Sequence, residues 1–259
     1  MDYYKQIFKR KSFHIFKNTD VLTDIEIRGI EDFIKTVKPL NAEIKTEICI
    51  VPEKETTCKR GGEYCILFYS ELKGEYLRNI GYIGQQIDLY LASQNIGALW
   101  FGIGKPKSME LNGLGYVIMI SIAKMPEDKF RKDMFKAKRK PLEEIWSGDT
   151  LGVAEIVRFT PSACNTQPWV VENAGNDLSV YRYKKPGKRG IMPADKVRYY
   201  NKIDMGIFLF MLETCLEHEG FNCQRILFED MTDDSVEKTL IAKYTYQKDT
   251  GNKKTVDNL

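Results

Sequence analysis

Pro161-Ser162-Ala163-Cys164-Asn165-Thr166-Gln167-Pro168-Trp169 is the stretch on which the reading of this chain turns. It follows a short run with helical apolar spacing (Val153, Ile156, Val157) and leads into the strand-like Trp169-Val170-Val171. Pro161 stops the helix, because its ring removes a backbone donor and crowds the preceding turn. Pro168 drives Gln167 out of the α region. The spacing predicts a rigid loop with its hydroxyl and amide side chains directed outward, the kind that carries function on a fixed scaffold. The same residues would serve in an ordinary turn, so what surrounds the loop decides its meaning.

The surroundings are those of an ordinary globular protein. A chain of 259 residues is long enough for one large domain or two small ones. Its 43% apolar and 29% charged content suits burial of a proper core. A net charge of +3 is too small to argue for nucleic acid. The apolar runs, such as Val117-Ile118-Met119-Ile120, are too short to cross a bilayer. The start, MDYYKQIFKRKSF, has no apolar signal region. The six cysteines show no C-x-x-C pair, and the two histidines, His14 and His218, argue against a metal site. A cytoplasmic protein with reduced thiols is expected.

Upstream of the loop, Arg10-Lys11-Ser12-Phe13-His14 joins cations to a hydroxyl, a combination suited to a phosphate and also to a solvated terminus. Residues 23–37 read as a helix opened by a Thr23/Glu26 capping box. Strands are expected at Glu47–Val51 and Tyr64–Tyr69, and a buried helix from about Ile80 to Ile96. Gly97 to Gly104 reads as a glycine-spaced apolar loop that lets a backbone approach something closely. It lacks the G-x-G-x-x-G dinucleotide fingerprint. Tyr116–Ala123 reads as a central strand. The basic run Lys129 to Lys140 is a solvated face, a source of cations for a phosphate, or a nucleic-acid patch with few aromatics to stack on bases. Downstream, strands are expected at Leu178–Tyr183, Cys223–Phe228 and Leu240–Tyr246, with a basic turn at Lys184–Arg189 and a polar end from Gln247.

The two halves echo each other. Helices stop at Pro39 and at Pro161, and buried helices centre on Gly84 and Gly206; both pairs lie 122 residues apart. This predicts an internal repeat, residues 1–147 and 148–259, packed about a pseudo-twofold axis as one compact α+β unit. The first copy has Pro39-Leu40-Asn41-Ala42-Glu43 where the second has Pro161-Ser162-Ala163-Cys164-Asn165.

Four segments in order resemble the FMN-dependent nitroreductase family, in the branch with two nitroreductase-like halves in one chain. They are Lys9–His14, Gly97–Gly102, Lys138–Ile145 and, the most specific, the Pro-Ser-x-x-Asn-x-Gln-Pro-Trp of 161–169. The resemblance implies a mixed or antiparallel sheet flanked by helices. It implies Arg10, Lys11 and Ser12 on the FMN phosphate and ribityl chain, and Lys138 or Arg139 as a further cation. It places His14 near the flavin pyrimidine and the backbone amides of Phe101 and Gly102 at the flavin edge. Pro161, Ser162, Ala163, Asn165 and Gln167 would cover the ring from the second half, giving one FMN per chain.

The implied activity is ping-pong electron transfer from NADH or NADPH through FMN to a nitroaromatic, quinone or flavin acceptor. No residue is assigned as catalytic, since the flavin carries the chemistry. A flavin-binding protein for storage or redox sensing, without turnover, is the alternative. The implied partner is a small-molecule acceptor, with no nucleic acid, no membrane and a monomer acting as an intramolecular pseudo-dimer. His14 stands where the family commonly has Arg or Lys. Its protonation near neutrality would make the flavin potential depend on pH.

Overall fold

The computed structural model describes residues 1–17, 19–184, 190–230 and 236–249. Of the basic turn expected at Lys184–Arg189, all but Lys184 lies outside them, as does the C-terminal tail from 250.

Two long helices form the centre. Helix α3 (Tyr76–Ser93) is buried along nearly its whole length, and α6 (Val197–His218) is buried over most of its turns. Both carry polar residues into the core, among them Asn79 and Asp88 on α3 and Asn201 and Asp204 on α6, and each of these four makes a hydrogen bond there. They cross where two glycines meet. A Cβ on Gly81 would stand 2.0 Å from the Ile203 carbonyl oxygen, and one on Gly206 would stand 1.9 Å from the Arg78 carbonyl oxygen. Each glycine thus faces the carbonyl three residues before the other, the reciprocal pattern of an isologous contact. The pairing expected from sequence, Gly84 with Gly206, is one helical turn out of register. Gly84 instead faces the Trp100 indole, where a Cβ would lie 2.4 Å from its Cη2.

Among the described residues the remaining α-helices are α1 (Tyr3–Lys9), α2 (Asp24–Ile34), α4 (Leu142–Ile145) and α5 (Ala154–Val157). The capping box at α2 is complete: Thr23 accepts from the Glu26 N–H, and Glu26 accepts from the Thr23 N–H. The helix ends at Ile34, short of the expected 37.

Two five-stranded sheets flank this pair. The first contains β1 (Thr46–Pro52), β2 (Tyr64–Ser70), β3 (Ile96–Phe101), β4 (Glu110–Leu111) and β5 (Leu114–Lys124). It runs β1-β2-β5-β3, antiparallel throughout, with β4 also on β5. The second contains β6 (Trp146–Ser147), β7 (Trp169–Ala174), β8 (Asp177–Tyr183), β9 (Phe221–Leu227) and β10 (Lys238–Lys248). Its order is β6-β7-β8-β10-β9, antiparallel except for the parallel β6–β7 pair. The fold is therefore α+β with antiparallel and mixed sheets, and β6 reaches the second sheet from residues just before 148.

Gly97–Gly102, expected as a loop, is mostly strand: β3 occupies Ile96–Phe101 and the turn begins at Gly102. The glycine is there for packing. A Cβ on Gly97 would meet Met125 at 2.6 Å and Phe13 at 3.0 Å. The segment after α1 then runs beside β3, with Ser12 bridged in parallel to Ala98 and the Phe13 N–H donating to the Ala98 carbonyl at 3.0 Å.

Candidate functional site

Residues 161–167 form a short loop of unusual backbone. Cys164 (φ 49°), Asn165 (φ 57°) and Gln167 (φ 49°) are all left-handed. Asparagine tolerates this region, whereas cysteine and glutamine do so at a cost of roughly 1–3 kcal/mol each. Hydrogen bonds over-determine the conformation. The Ala163 N–H donates to Asp204 Oδ1 at 2.9 Å, Thr166 Oγ1 donates to Asn201 Oδ1 at 3.1 Å, and the Gln167 N–H donates to Ser162 Oγ at 3.0 Å. Asp204 is fully buried on α6, and loss of hydration pushes its carboxyl up to about 8 against the opposing pull of the Ala163 and Thr166 donors.

Two of the loop's polar side chains turn inward, against the expectation that they face outward. Thr166 and Gln167 are buried. Gln167 Oε1 accepts from the Lys140 N–H at 2.9 Å, and Lys140 Nζ donates to the Gln167 carbonyl at 3.2 Å. Asn165 is exposed, yet it clasps the same segment: Oδ1 accepts from Arg139 at 3.0 Å and Nδ2 donates to the Lys138 carbonyl at 3.2 Å. The loop and the basic segment 138–140 are one interlocked unit, because a buried amide must spend its donors and acceptors on something.

That unit carries Arg139 into a group of arginines. Burial and the positive charges of Arg131, Arg10 and Arg158 push the Arg139 guanidinium down to about 10, and burial followed by Arg10 lowers Arg131. The acidic partners are few. Arg10 Nε donates to buried Asp88 at 2.8 Å, and Arg158 meets exposed Glu155 at 3.8 Å. Arg139 spends its terminal nitrogens on Asn165, the Lys138 carbonyl and the Phe159 carbonyl; Arg139 Nε and Arg158 Nε are buried with no partner. Four guanidiniums partly withdrawn from water, with orphaned N–H groups, form the donor set that a phosphate dianion would satisfy.

The far side is the end of β3. Asp88 also accepts from Trp100 Nε1 at 3.0 Å, which ties Arg10 to that strand. Tyr200, on α6, packs on Gly102 and donates its hydroxyl to the Gly102 carbonyl at 2.8 Å. Burial raises the Tyr200 phenol, and nearby Cys164 adds to the rise, so the loop, α6 and Gly102 adjoin one another.

The structure thus connects Arg10, Arg139, Ser162, Ala163, Asn165, Gln167 and Gly102 through direct contacts or short electrostatic range. Ser12 lies beside β3, Pro161 opens the loop, and Phe101 ends β3 with Arg60 over its ring at 5.4 Å. Three residues stand apart. Lys11 donates to the Lys129 carbonyl at 2.9 Å, Lys138 contributes its carbonyl while its side chain is exposed, and His14 is exposed. Sequence reasoning missed Arg158, Asp88, Tyr200 and Asp204, and did not single Arg131 out of its basic run. A buried-helix aspartate such as Asp88 or Asp204 was the available signal. Among the described residues no acidic, Cys or His cluster could hold a metal ion, and no helix is long and apolar enough to cross a membrane.

A sequence profile described as "Putative TM nitroreductase" matches residues 2–215. The crystal structure of a "putative nitroreductase" from Thermotoga maritima MSB8 is 18% identical, with TM-score 0.59 over 95% of this chain and 94% of that one. A "putative nitroreductase in complex with FMN" from Desulfovibrio desulfuricans is 15% identical, with TM-score 0.42 over 56% of this chain and 94% of that one. A nitroreductase family protein from Clostridium difficile 630 is 12% identical, with TM-score 0.45 over 58% of this chain and 99% of that one. Among curated proteins, none matches the chain.

Proposed function

The chain belongs to the "Putative TM nitroreductase" family, and from that premise we propose that it is an FMN-dependent NAD(P)H oxidoreductase. The observation that carries the reading is the cluster of Arg10, Arg131, Arg139 and Arg158, in which burial and like charge depress Arg139 and leave buried N–H groups unpartnered. An anion of charge near two relieves both penalties at once, and the terminal phosphate of FMN is such an anion. Arg10 and Arg139 would hold it, with Arg131 and Arg158 behind them and Ser12 toward the ribityl chain. Phe101 and Gly102 would adjoin the flavin edge, and the 161–167 loop would cover the ring.

Bound there, the flavin would supply two-electron transfer from NADH or NADPH to a nitroaromatic, quinone or free-flavin acceptor in ping-pong order. The chain's own contribution is binding and orientation. Asp204 and Asn201 fix the loop, and Gln167 and Asn165 lock Arg139 in place. We read residues 1–147 and 148–259 as two nitroreductase-like halves, the first supplying the phosphate end and the second the cover, so that one chain completes one site.

The absorbance spectrum of the purified chain tests this. A yellow protein with one FMN per chain is expected, bleached by NADH or NADPH without oxygen and recoloured by an acceptor. A yellow protein that neither nucleotide bleaches would be a flavin binder without this turnover. A chain that takes up no FMN overturns the reading.

A further inference from the structure

Strand β3 follows α3 and pairs with β5, and β9 follows α6 and pairs with β10, both antiparallel and both last in the order of their sheets. Their residues take matching places along the chain. Asp88 and Glu213 each stand seven residues past the glycine of the helix crossing, and Ala98 and Cys223 each stand seventeen past it. What differs is the outer edge. On β3 it is occupied by the segment after α1: Ser12 bridges Ala98 in parallel, the Phe13 N–H donates to the Ala98 carbonyl, and Arg10 reaches Asp88. On β9, among the described residues, no strand or bridge occupies it.

A cleft opens between α6 and this strand. Phe221, Cys223 and Arg225 on β9 and Glu213, Leu216 and Glu217 on α6 line about 390 Å³ of space. Arg225 already meets Glu213 at 2.6 Å, whereas Glu217, one turn further along α6, is exposed. The cleft suits an extended segment that brings a cation to Glu217 and a backbone donor to the edge of β9, since an open edge is a template for another strand.

The chain holds a segment of that chemistry. Lys253-Lys254-Thr255-Val256 repeats the order of Arg10-Lys11-Ser12-Phe13: two cations, a hydroxyl and an apolar residue. It also starts from the right place. Lys248 pairs with Phe221 and the Asp249 N–H donates to the Gly220 carbonyl at 2.7 Å, so the chain leaves β10 at the entry to β9. Thr250-Gly251-Asn252 can span about 10 Å, two strand spacings, which is enough to round β9 and reach its outer edge. From there the chain would run in the direction of β9, just as the Ser12 segment runs in the direction of β3.

We propose that residues 253–257 dock on the outer edge of β9 as a parallel strand, with Thr255 beside Cys223 as Ser12 is beside Ala98. In that register Lys253 and Thr255 share the face of Phe221 and Cys223. Lys253 therefore enters the cleft toward Glu217, and Lys254 turns to the opposite face. The Val256 N–H donates to the Cys223 carbonyl, the counterpart of the Phe13 bond to Ala98. The docked segment closes an edge that could otherwise pair with another chain. The proposal stands on this geometry whether or not flavin binds.

The test treats the full-length chain with a zero-length carbodiimide and maps the cross-linked peptides. The expected product joins Lys253 to Glu217 within one chain. A second measurement follows alkylation of the native protein by N-ethylmaleimide. Cys223, half-buried in the cleft, should react at least about fivefold faster in Val256→Pro, which lacks the edge donor. Val256→Ala keeps that donor and should react like the wild type, and half-buried Cys49 on the first sheet should keep one rate throughout. The proposal is overturned if Lys253 and Lys254 couple to carboxylates outside the cleft as readily as to Glu217, or if the Lys253–Glu217 product forms only between two chains. It is equally overturned if Cys223 reacts at the same rate in the wild type and in Val256→Pro. The wild-type cross-link map decides the matter even if a variant does not fold.

Discussion

The Asn41 N–H donates to Asn79 Oδ1 at 3.0 Å, and the Ala163 N–H donates to Asp204 Oδ1 at 2.9 Å. Asn79 and Asp204 each stand two residues before the glycine of the helix crossing, and each holds the second residue after a proline, Pro39 or Pro161. Further along, Asp88 on α3 and Glu213 on α6 each lie seven residues past their glycine. The two regions share a plan and differ in charge. Asp88 accepts from Arg10 and Trp100, while Arg131, Arg139 and Arg158 remain in excess nearby. Glu213 accepts from Arg225, Tyr82 and Tyr244, all at 2.6 Å, and Arg225 also reaches the Leu40 carbonyl at 3.3 Å. One region has a surplus of cations, which is what the proposed phosphate site rests on. The other contains its cation and its carboxylate in one closed network, with burial and the Glu213 charge raising both phenols. We read this difference as one anion site per chain.

The largest expected effect tests the shared plan. An added Cβ at Gly81 or Gly206 meets a backbone carbonyl of the opposite helix, which no rotamer change can relieve. Gly81→Ala and Gly206→Ala should each destabilise the chain by about 3 kcal/mol or more, read from urea midpoints. Gly84→Ala meets the Trp100 side chain and should cost less. A severe Gly81→Ala beside a mild Gly206→Ala would break the reciprocity of the crossing.

The next pair tests the difference. Arg139→Ala removes a charge-assisted donor from the proposed phosphate site, worth about 1.5–3 kcal/mol. FMN affinity, measured by flavin fluorescence, should fall roughly 10- to 150-fold. Arg225→Ala should leave FMN affinity unchanged and instead lower stability by about 1–2 kcal/mol, since Glu213 loses its cation but keeps the Tyr82 and Tyr244 hydroxyls. Equal losses of FMN affinity would mean that both regions bind flavin. A flavin-to-protein ratio near two in a denatured extract would say the same.

Local signals were legible in the sequence, and partnerships were not. The capping box at Thr23 lies within four residues and formed as expected. The family could be recognised because its 161–169 motif is contiguous. Gly97 was misread because a glycine allowed by a turn and a glycine demanded by packing look alike until Phe13 and Met125 are placed. Gly81 and Gly84 lie on one helix, and only the crossing tells which one faces Gly206. The polar residues of the loop announced hydrogen bonding without revealing that Gln167 and Asn165 would spend it on residues 138–140. Arg158 joins the cation cluster from a separate short helix, a neighbourhood that tertiary packing alone creates.

The smallest effect exchanges the two tethers. Asp204 has an ordinary carboxyl value of 3.8 and is held near 8 in the fold, so the native state keeps a proton that the unfolded chain releases. Between those values the unfolded state binds fewer protons, and this group's contribution to stability falls as pH rises from about 4 to about 8, then levels off. Asp204→Asn installs the neutral amide that Asn79 already provides at the other loop, keeping an oxygen to accept from the Ala163 N–H. The variant should match the wild type at pH 4–5 and melt higher at pH 8, by about 3–6 °C for a gain of roughly 1–2 kcal/mol. Asn79→Asp should do the reverse, adding a decline with pH that the wild type lacks at that loop. Parallel pH profiles for Asp204→Asn and the wild type would show that Asp204 ionises freely, and the two tethers would then differ in name only.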